Sequence, residues 1–208
     1  IDLTLANRVP DLLDEGYDSV IIARSVQEFI YSAYAVRLLA QGEADSDALQ
    51  EMLNTRFSAI ASFRELTGAL HERFRSETAE TAAGFAWSRL RPVTMPVRLS
   101  DIFSHTSPFG SIEMIFHVIR WNGIGRLTGF DMSQQCWSFS FLANYGLLRR
   151  MISERELFPD IGDWCDAVKN GAGFAMLWDK AAVVMLMPEM HLDAQGRVHN
   201  AAGPAVRF

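Results

Sequence analysis

The chain has 208 residues, 49% of them hydrophobic, and a formal net charge of -6. This length and composition allow one substantial hydrophobic core, or two small ones, without disulfide bonds. The acidic balance argues against a general nucleic-acid-binding protein, because such proteins usually carry a basic face that neutralises phosphates.

The two cysteines, Cys136 and Cys165, lie far apart and match neither a zinc-ligand spacing nor a disulfide framework. We predict that both are reduced, structural thiols, as is typical of cytoplasmic proteins. The most apolar segment, residues 20–40, is as long as a membrane span, but charged and polar residues interrupt it. The sequence therefore predicts a soluble, cytoplasmic protein without a membrane span.

The first region, residues 1–91, is predicted to be helical. Apolar residues recur at steps of three or four through residues 18–40 and again through residues 47–74. These spacings predict two long amphipathic helices, with Gly42 closing the first of them. The helices are expected to pack together and to bury four side chains between them, namely Phe29, Phe57, Ile60 and Phe63.

The second region, residues 92–208, follows a proline-rich connector and is predicted to be mixed. Residues 131–151 and 159–171 have the caps and apolar spacing of helices. Residues 181–188, AAVVMLMP, have the β-branched content of a buried strand. The chain is therefore predicted to be an α+β protein, mainly helical, with long helices first and a small antiparallel β-hairpin or meander at the C-terminal end.

The closing stretch, HLDAQGRVHNAAGPAVRF, begins with the residue pattern of a hairpin. Asp193 and Gly196 bracket a short loop that places His191 opposite His199. Because side chains alternate across a strand, both histidines and Asp193 are expected on one face.

A second turn and a further strand are predicted at the end of the chain, with Gly203 and Pro204 at the corner. Gly196 and Gly203 are expected to supply unusual backbone angles, and Pro204 a fixed one. The stretch is thus interpreted as a scaffold element.

The string DAQGRVHNAAGPA, residues 193–205, resembles the signature of a widespread bacterial family of uncharacterised domains. In that family an Asp-x-x-Gly-Arg-Leu-His-Asn-x-x-Gly-Pro-Ala hairpin follows a strand that ends in proline, as VVMLMPEMHLD does here. The resemblance covers roughly the second half of the chain, with Val198 in place of the family's leucine. It implies an α+β domain ending in a β-meander, and we expect this one to be truncated at its C-terminal end. It implies no established activity.

The candidate catalytic residues are His105, in a loop rich in hydroxyl groups, and the pair Glu113 and His117, which are four residues apart. On a helix this pair would share one face and could do acid-base chemistry. We favour a loop and a solvated helix face, because the sequence supplies no nucleophile or metal motif beside them.

The candidate metal ligands are His191, Asp193 and His199, since two imidazoles and a carboxylate are an ordinary ligand set. We favour a hydrogen-bonded polar face, because only His199 of the two histidines belongs to the family pattern. The glycines of NGIGRLTG do not form a dinucleotide-binding fingerprint. The sequence thus predicts no cofactor and no bound metal.

Three classes of function stay open. The preferred one is a binding or regulatory module of a larger bacterial protein, with a protein partner that is the same or another chain. The second is a hydrolase or metal-dependent enzyme that uses histidines of the second region. The third is a structural subunit of an assembly. An exposed apolar face on residues 20–40 would favour the first or the third.

Overall fold

The computed structural model describes residues 17–45, 47–79, 81, 84–92, 136–138, 172–186, 189–191, 193–195, 199–204 and 206–207. For residues 136–138, 189–190 and 206–207 we describe the backbone alone. The described residues combine α-helices with β-sheet, so the α+β class is confirmed. The elements in chain order are β1 (Ser19–Ala23), α1 (Val26–Gln41), α2 (Leu49–Phe57), α3 (Thr67–Thr78), a 3-10 turn (Trp87–Arg89), β2 (Cys136–Ser138), β3 (Ala172–Leu177), β4 (Ala181–Leu186), β5 (Glu189–Met190) and β6 (Val206–Arg207).

Four strands form one mixed sheet in the order β1-β4-β3-β2. β3 pairs antiparallel with both β4 and β2, whereas β1 pairs in parallel with β4. β3 and β4 are buried along almost their whole length, as expected for strands covered on both faces. The buried strand predicted within residues 181–188 is confirmed.

The sheet joins the two regions that the sequence separates at residues 91 and 92. β1 comes from the first region and β4 from the second, and Ser19 is in register with Ala181. Beside them, the backbone N–H of Arg91 donates to Asp179 Oδ1 at 2.9 Å, and the Asp179 N–H donates to the Arg91 carbonyl at 2.9 Å. The described parts of residues 1–91 and 92–208 therefore share one sheet, while the division itself stays a prediction.

The prediction of a single helix over residues 18–40 is wrong at its start, because Ser19–Ala23 is strand β1. The sequence SVIIA is β-branched and apolar, and a strand that is buried on both faces has no alternation to distinguish it from a buried helix. Its partner β4 lies about 160 residues further along the chain. Pairing with that distant strand decides the local structure.

Both ends of α1 are determined by capping residues, Ser25 at its start and Gly42 at its end. The Ser25 hydroxyl accepts a hydrogen bond from the Glu28 N–H at 3.1 Å, which satisfies a free donor of the first turn. Gly42 has a φ angle of 67°, a left-handed conformation that favours glycine, and its N–H bonds to the last turn. The predicted end of this helix at Gly42 is confirmed.

The prediction of one long helix over residues 47–74 is also wrong, because α2 ends at Phe57 and α3 begins at Thr67. Between them, the N–H groups of Ile60, Phe63 and Leu66 each bond to the carbonyl three residues earlier. This tighter bonding changes the repeat from 3.6 toward 3.0 residues per turn. The chain turns there, and Phe57 and Phe63 stack with ring centroids 4.7 Å apart.

The predicted packing of these segments is confirmed for three of its four side chains. Phe29, Phe57 and Phe63 are fully buried, whereas Ile60 is partly buried. α1 lies at the centre, in contact with β1, β4, α2 and α3. Its apolar side chains are covered by the chain itself, so within the described residues α1 offers no exposed apolar face.

A third prediction, of a helix over residues 131–151, is wrong at Cys136–Ser138, which form strand β2. These residues pair with Met176, Ala175 and Phe174 of β3. The sequence CWS carries no strand pattern long enough to recognise, so the pairing is a tertiary effect. The other residues of 131–151, and the helix predicted over 159–171, lie outside the described residues.

Candidate functional site

The described interior contains a group of polar side chains between α1 and α3. Glu28 and Tyr31 come from successive turns of α1, and His71 and Arg73 come from α3. Glu28, Tyr31 and His71 are buried. We call these four residues the polar interface.

Glu28 occupies the α1 end of the polar interface and binds both the backbone and Arg73. Its Oε2 accepts a hydrogen bond from the Arg24 N–H at 2.9 Å, so the carboxylate helps to cap α1. Its Oε1 lies 3.1 Å from Nε of Arg73. That N–H does not meet the angular requirement of a hydrogen bond, so the contact is mainly coulombic.

Arg73 also lies near a second carboxylate on its own helix. Its Nη2 is 3.3 Å from Oε1 of Glu77, four residues later. The Arg73 side chain is 34% exposed and that of Glu28 is 10% exposed. Arg73 therefore bridges a buried acid on α1 and a more accessible one on α3.

Tyr31 and His71 form the other contact across the polar interface. The Tyr31 hydroxyl lies 3.2 Å from His71 Nδ1, and the two rings meet edge to face with centroids 6.4 Å apart. Burial raises the pKa of Tyr31 above its ordinary value, so its hydroxyl stays protonated. The pKa of His71 is lowered, first by burial and then by the nearby Arg75, with Glu72 opposing.

The polar interface holds α1 and α3 together through two pairs of side chains. A neutral His71 can accept at Nδ1 from the Tyr31 hydroxyl, which satisfies both groups. Glu28 and Arg73 neutralise each other. Both contacts link α1 to α3 and so stabilise the packing of these helices.

The C-terminal candidates lie in the predicted hairpin. The His199 N–H donates to the His191 carbonyl at 2.9 Å, so the two histidines are opposite each other as predicted. Asp193 Oδ1 accepts from the Gln195 N–H at 2.9 Å and shapes the loop. Among the described residues, these three included, no three His, Cys, Asp or Glu side chains are placed to hold a metal ion.

The second turn is made by Asn200, whose role the sequence analysis missed. Its Oδ1 accepts from the Ala202 N–H at 3.0 Å, and its Nδ2 donates to the Pro204 carbonyl at 3.1 Å. The unusual backbone angle expected at Gly203 is not a left-handed one, because its φ angle is not positive. The Asn200 side chain supplies the hydrogen bonds of the corner, so no left-handed residue is needed there.

The strand predicted after this corner is present. β6 (Val206–Arg207) pairs antiparallel with β5 (Glu189–Met190), with Glu189 opposite Arg207. The predicted small antiparallel element at the end of the chain is therefore confirmed in its described part. Gly196 lies outside the described residues.

The candidate catalytic residues His105, Glu113 and His117 also lie outside the described residues, as does Cys165. The predicted state of the two thiols stays a prediction.

Comparison with protein-family models, curated proteins and solved structures finds no match for the chain. The resemblance of residues 193–205 to a bacterial family of uncharacterised domains stays a hypothesis. Among the described residues, no helix is both long enough and apolar enough to span a bilayer.

Sequence reasoning missed the polar interface as a whole. On a helical wheel Glu28 and Tyr31 fall away from the apolar stripe of α1, which predicts exposure. They are buried because α1 is covered on several sides. The signal that could have found His71 is its position three residues before Phe74 and seven before Thr78, on the buried stripe of α3.

Proposed function

We propose that this chain is a protein-binding or regulatory module of a larger bacterial protein, acts in the cytoplasm and has no catalytic activity of its own. Its partner is a protein, either a second copy of the chain or a different one. The observation that carries this proposal is the polar interface, in which the buried ionisable groups bind one another. Buried ionisable groups that bind one another support a structural role for the interior. The function is then carried by residues on the surface.

The surface best suited to a partner lies on the turn segment, residues 58–66, between α2 and α3. Phe57 and Phe63 direct their rings inward and are fully buried. Leu66 is 42% exposed, the largest exposure of a large hydrophobic side chain among the described residues. The rings of Phe57, at the end of α2, and of Phe63, in the turn segment, are thus part of the core, while Leu66 is partly exposed to solvent.

The residues beside Leu66 in the chain support the same proposal. Small residues let a partner approach the backbone closely. Charged residues around an apolar contact supply the polar rim of a protein interface. The exposed small residues are Ala59, Ala61, Gly68 and Ala69, and the exposed charged ones are Arg64 and Glu65.

Site-specific photo-crosslinking in bacterial cells tests this proposal. A photoreactive amino acid at Ala69 is expected to give a discrete protein adduct, because Ala69 is exposed one turn into α3. The same amino acid at Glu51, exposed on α2, is the matched control and is expected to give none. Combining the Ala69 probe with Leu66→Asp should lower the adduct yield roughly tenfold, the effect of about 1.4 kcal/mol of lost contact.

Leu66→Asp should leave the melting temperature close to that of the parent, since exposed substitutions change stability by about 0.5 kcal/mol or less. Equal adducts at Ala69 and Glu51, or a yield at Ala69 that Leu66→Asp does not change, would contradict the proposed surface. An adduct between two copies of the chain identifies self-association as the form of binding.

A further inference from the structure

α3 is attached to the protein by an unusually polar face. Three of its side chains are buried, His71, Phe74 and Thr78, and only Phe74 is apolar. The Thr78 hydroxyl donates to the Phe74 carbonyl at 2.8 Å, so that polar group is satisfied within the helix itself. The attachment therefore depends on Phe74, on the partly buried Leu70 and on the contacts of the polar interface. Elements with few buried apolar contacts open at a lower free energy than the core.

The hydrogen bond between Tyr31 and His71 has a different direction in each protonation state of the histidine. In the tautomer that is protonated at Nε2, the neutral imidazole accepts at Nδ1 from the Tyr31 hydroxyl across 3.2 Å. Once the ring is protonated, both of its nitrogens are donors, so Nδ1 can only donate to the Tyr31 oxygen and the hydroxyl proton loses its buried acceptor. A cation would also be buried where His71 is only 3% exposed.

The charged surroundings do not offer this cation a free partner. Glu28, one turn from Tyr31 on α1, is held by Arg73. Glu72 on α3 itself lies beside Arg75, with 3.8 Å between Oε1 and Nη1, and both side chains are mostly exposed. β1, which also packs against α3, has the sequence SVIIA and carries no titratable group. The charged residues of the remaining neighbour, α2, are Glu51 and Arg56, both exposed.

The geometry points to α3 as an acid-released helix: protonation of His71 places a buried cation against α1, deprives the Tyr31 hydroxyl proton of its acceptor and so frees the helix from α1. Since α3 also packs against β1, at one end of the described sheet, its release uncovers that strand. Just after α3, the Thr81 hydroxyl donates to Ser19 Oγ of β1 at 3.3 Å and marks the same contact. The release of α3 by acid does not depend on the proposed binding role.

The direction of the pH effect follows from the lowered pKa of His71. The unfolded or detached histidine has its ordinary pKa of 6.5 and takes up a proton before the buried one does. The attached state is therefore fully stable above about pH 6.5 and loses stability as the pH falls toward the lowered pKa. Below that pKa the loss is complete.

Amide hydrogen exchange of the intact chain tests the release of α3. Protection of its amides is measured between about pH 7.5 and about pH 5.5 and corrected for intrinsic exchange rates. Protection of α3 is expected to fall on acidification, by up to roughly tenfold at about pH 5.5, one unit below the ordinary pKa of 6.5, while α1 stays protected. His71→Gln, which cannot titrate, should show no such fall. Tyr31→Phe should lower the protection of α3 at neutral pH and weaken its pH dependence. His199→Gln, in the hairpin, should behave as the parent.

Three outcomes would overturn the inference. The first is α3 protection that does not change with pH in the parent. The second is a simultaneous loss in α1 and α3, which indicates global acid unfolding. The third is a pH dependence that survives unchanged in His71→Gln or, if that variant does not fold, in Tyr31→Phe.

Discussion

Phe57→Ala is expected to lower the free energy of unfolding by about 3–5 kcal/mol, the range for removing a large aromatic side chain from a core. Phe57 is fully buried at the end of α2. Its ring lies 4.7 Å from that of Phe63, 5.2 Å from that of Tyr31 and 5.8 Å from that of Tyr34, between centroids. The substitution therefore opens a cavity where α1, α2 and the turn segment meet.

Urea denaturation followed by far-ultraviolet circular dichroism measures this loss. Phe57→Leu should cost less than Phe57→Ala, because leucine fills most of the cavity. Leu66→Ala is the control on the turn segment and should change stability by about 0.5 kcal/mol or less, since Leu66 is exposed. A loss for Phe57→Ala no larger than that for Leu66→Ala would show that the helices do not pack in this way.

Arg73→Met is expected to lower the free energy of unfolding by about 1–3 kcal/mol. It leaves the mostly buried carboxylate of Glu28 with its backbone donor at Arg24 and without its cation. The loss is smaller than for a fully buried ion pair, because water reaches part of the Arg73 side chain.

A double-mutant cycle identifies the cause of that loss. Glu28→Gln keeps an acceptor for the Arg24 N–H and removes the charge, so the double variant with Arg73→Met should be more stable than Arg73→Met alone. Arg75→Met is the control on the same helix and should cost about 0.5 kcal/mol or less, as its pair with Glu72 is exposed. Strictly additive losses, or equal losses for Arg73→Met and Arg75→Met, would contradict a coupled pair.

The sequence predicted correctly those elements that depend on residue propensities and on hydrogen bonds between neighbouring residues. The adjacent β-branched residues Val183 and Val184, in an apolar run, favour the buried strand β4. Gly42 ends a helix because few other residues adopt its φ angle of 67°. Asp193 shapes a loop with its own neighbours. For Gly42 and Asp193 the deciding contacts lie within a few residues of the chain.

The errors occur where distant residues determine the structure. Ser19–Ala23 is a strand because β4 is there to pair with it, and Cys136–Ser138 is a strand because of β3. Residues 58–66 leave the helical repeat so that Phe57 and Phe63 can meet. No spacing in the sequence encodes these partners, and tertiary contacts override the periodicity.

The polar interface could not be predicted for a related reason. His71 lies 40 residues after Tyr31, and only the packing of α3 on α1 brings them within 3.2 Å. The candidate histidines belong to a predicted loop, a predicted helix face and the hairpin, whereas the buried histidine of the described core lies in an ordinary helical sequence. The burial of a polar residue can be recognised only once its partner is known.

The measurement that tests the proposed non-catalytic role most directly is an assay of the purified chain against ester, phosphoester and peptide substrates, with and without added divalent metal. We expect rates equal to the uncatalysed background, with no change in His105→Ala, His117→Ala or His199→Ala. A rate above background that one of these three substitutions abolishes, while the variant keeps the parent's melting temperature, would contradict the proposal and assign the protein to the enzymes.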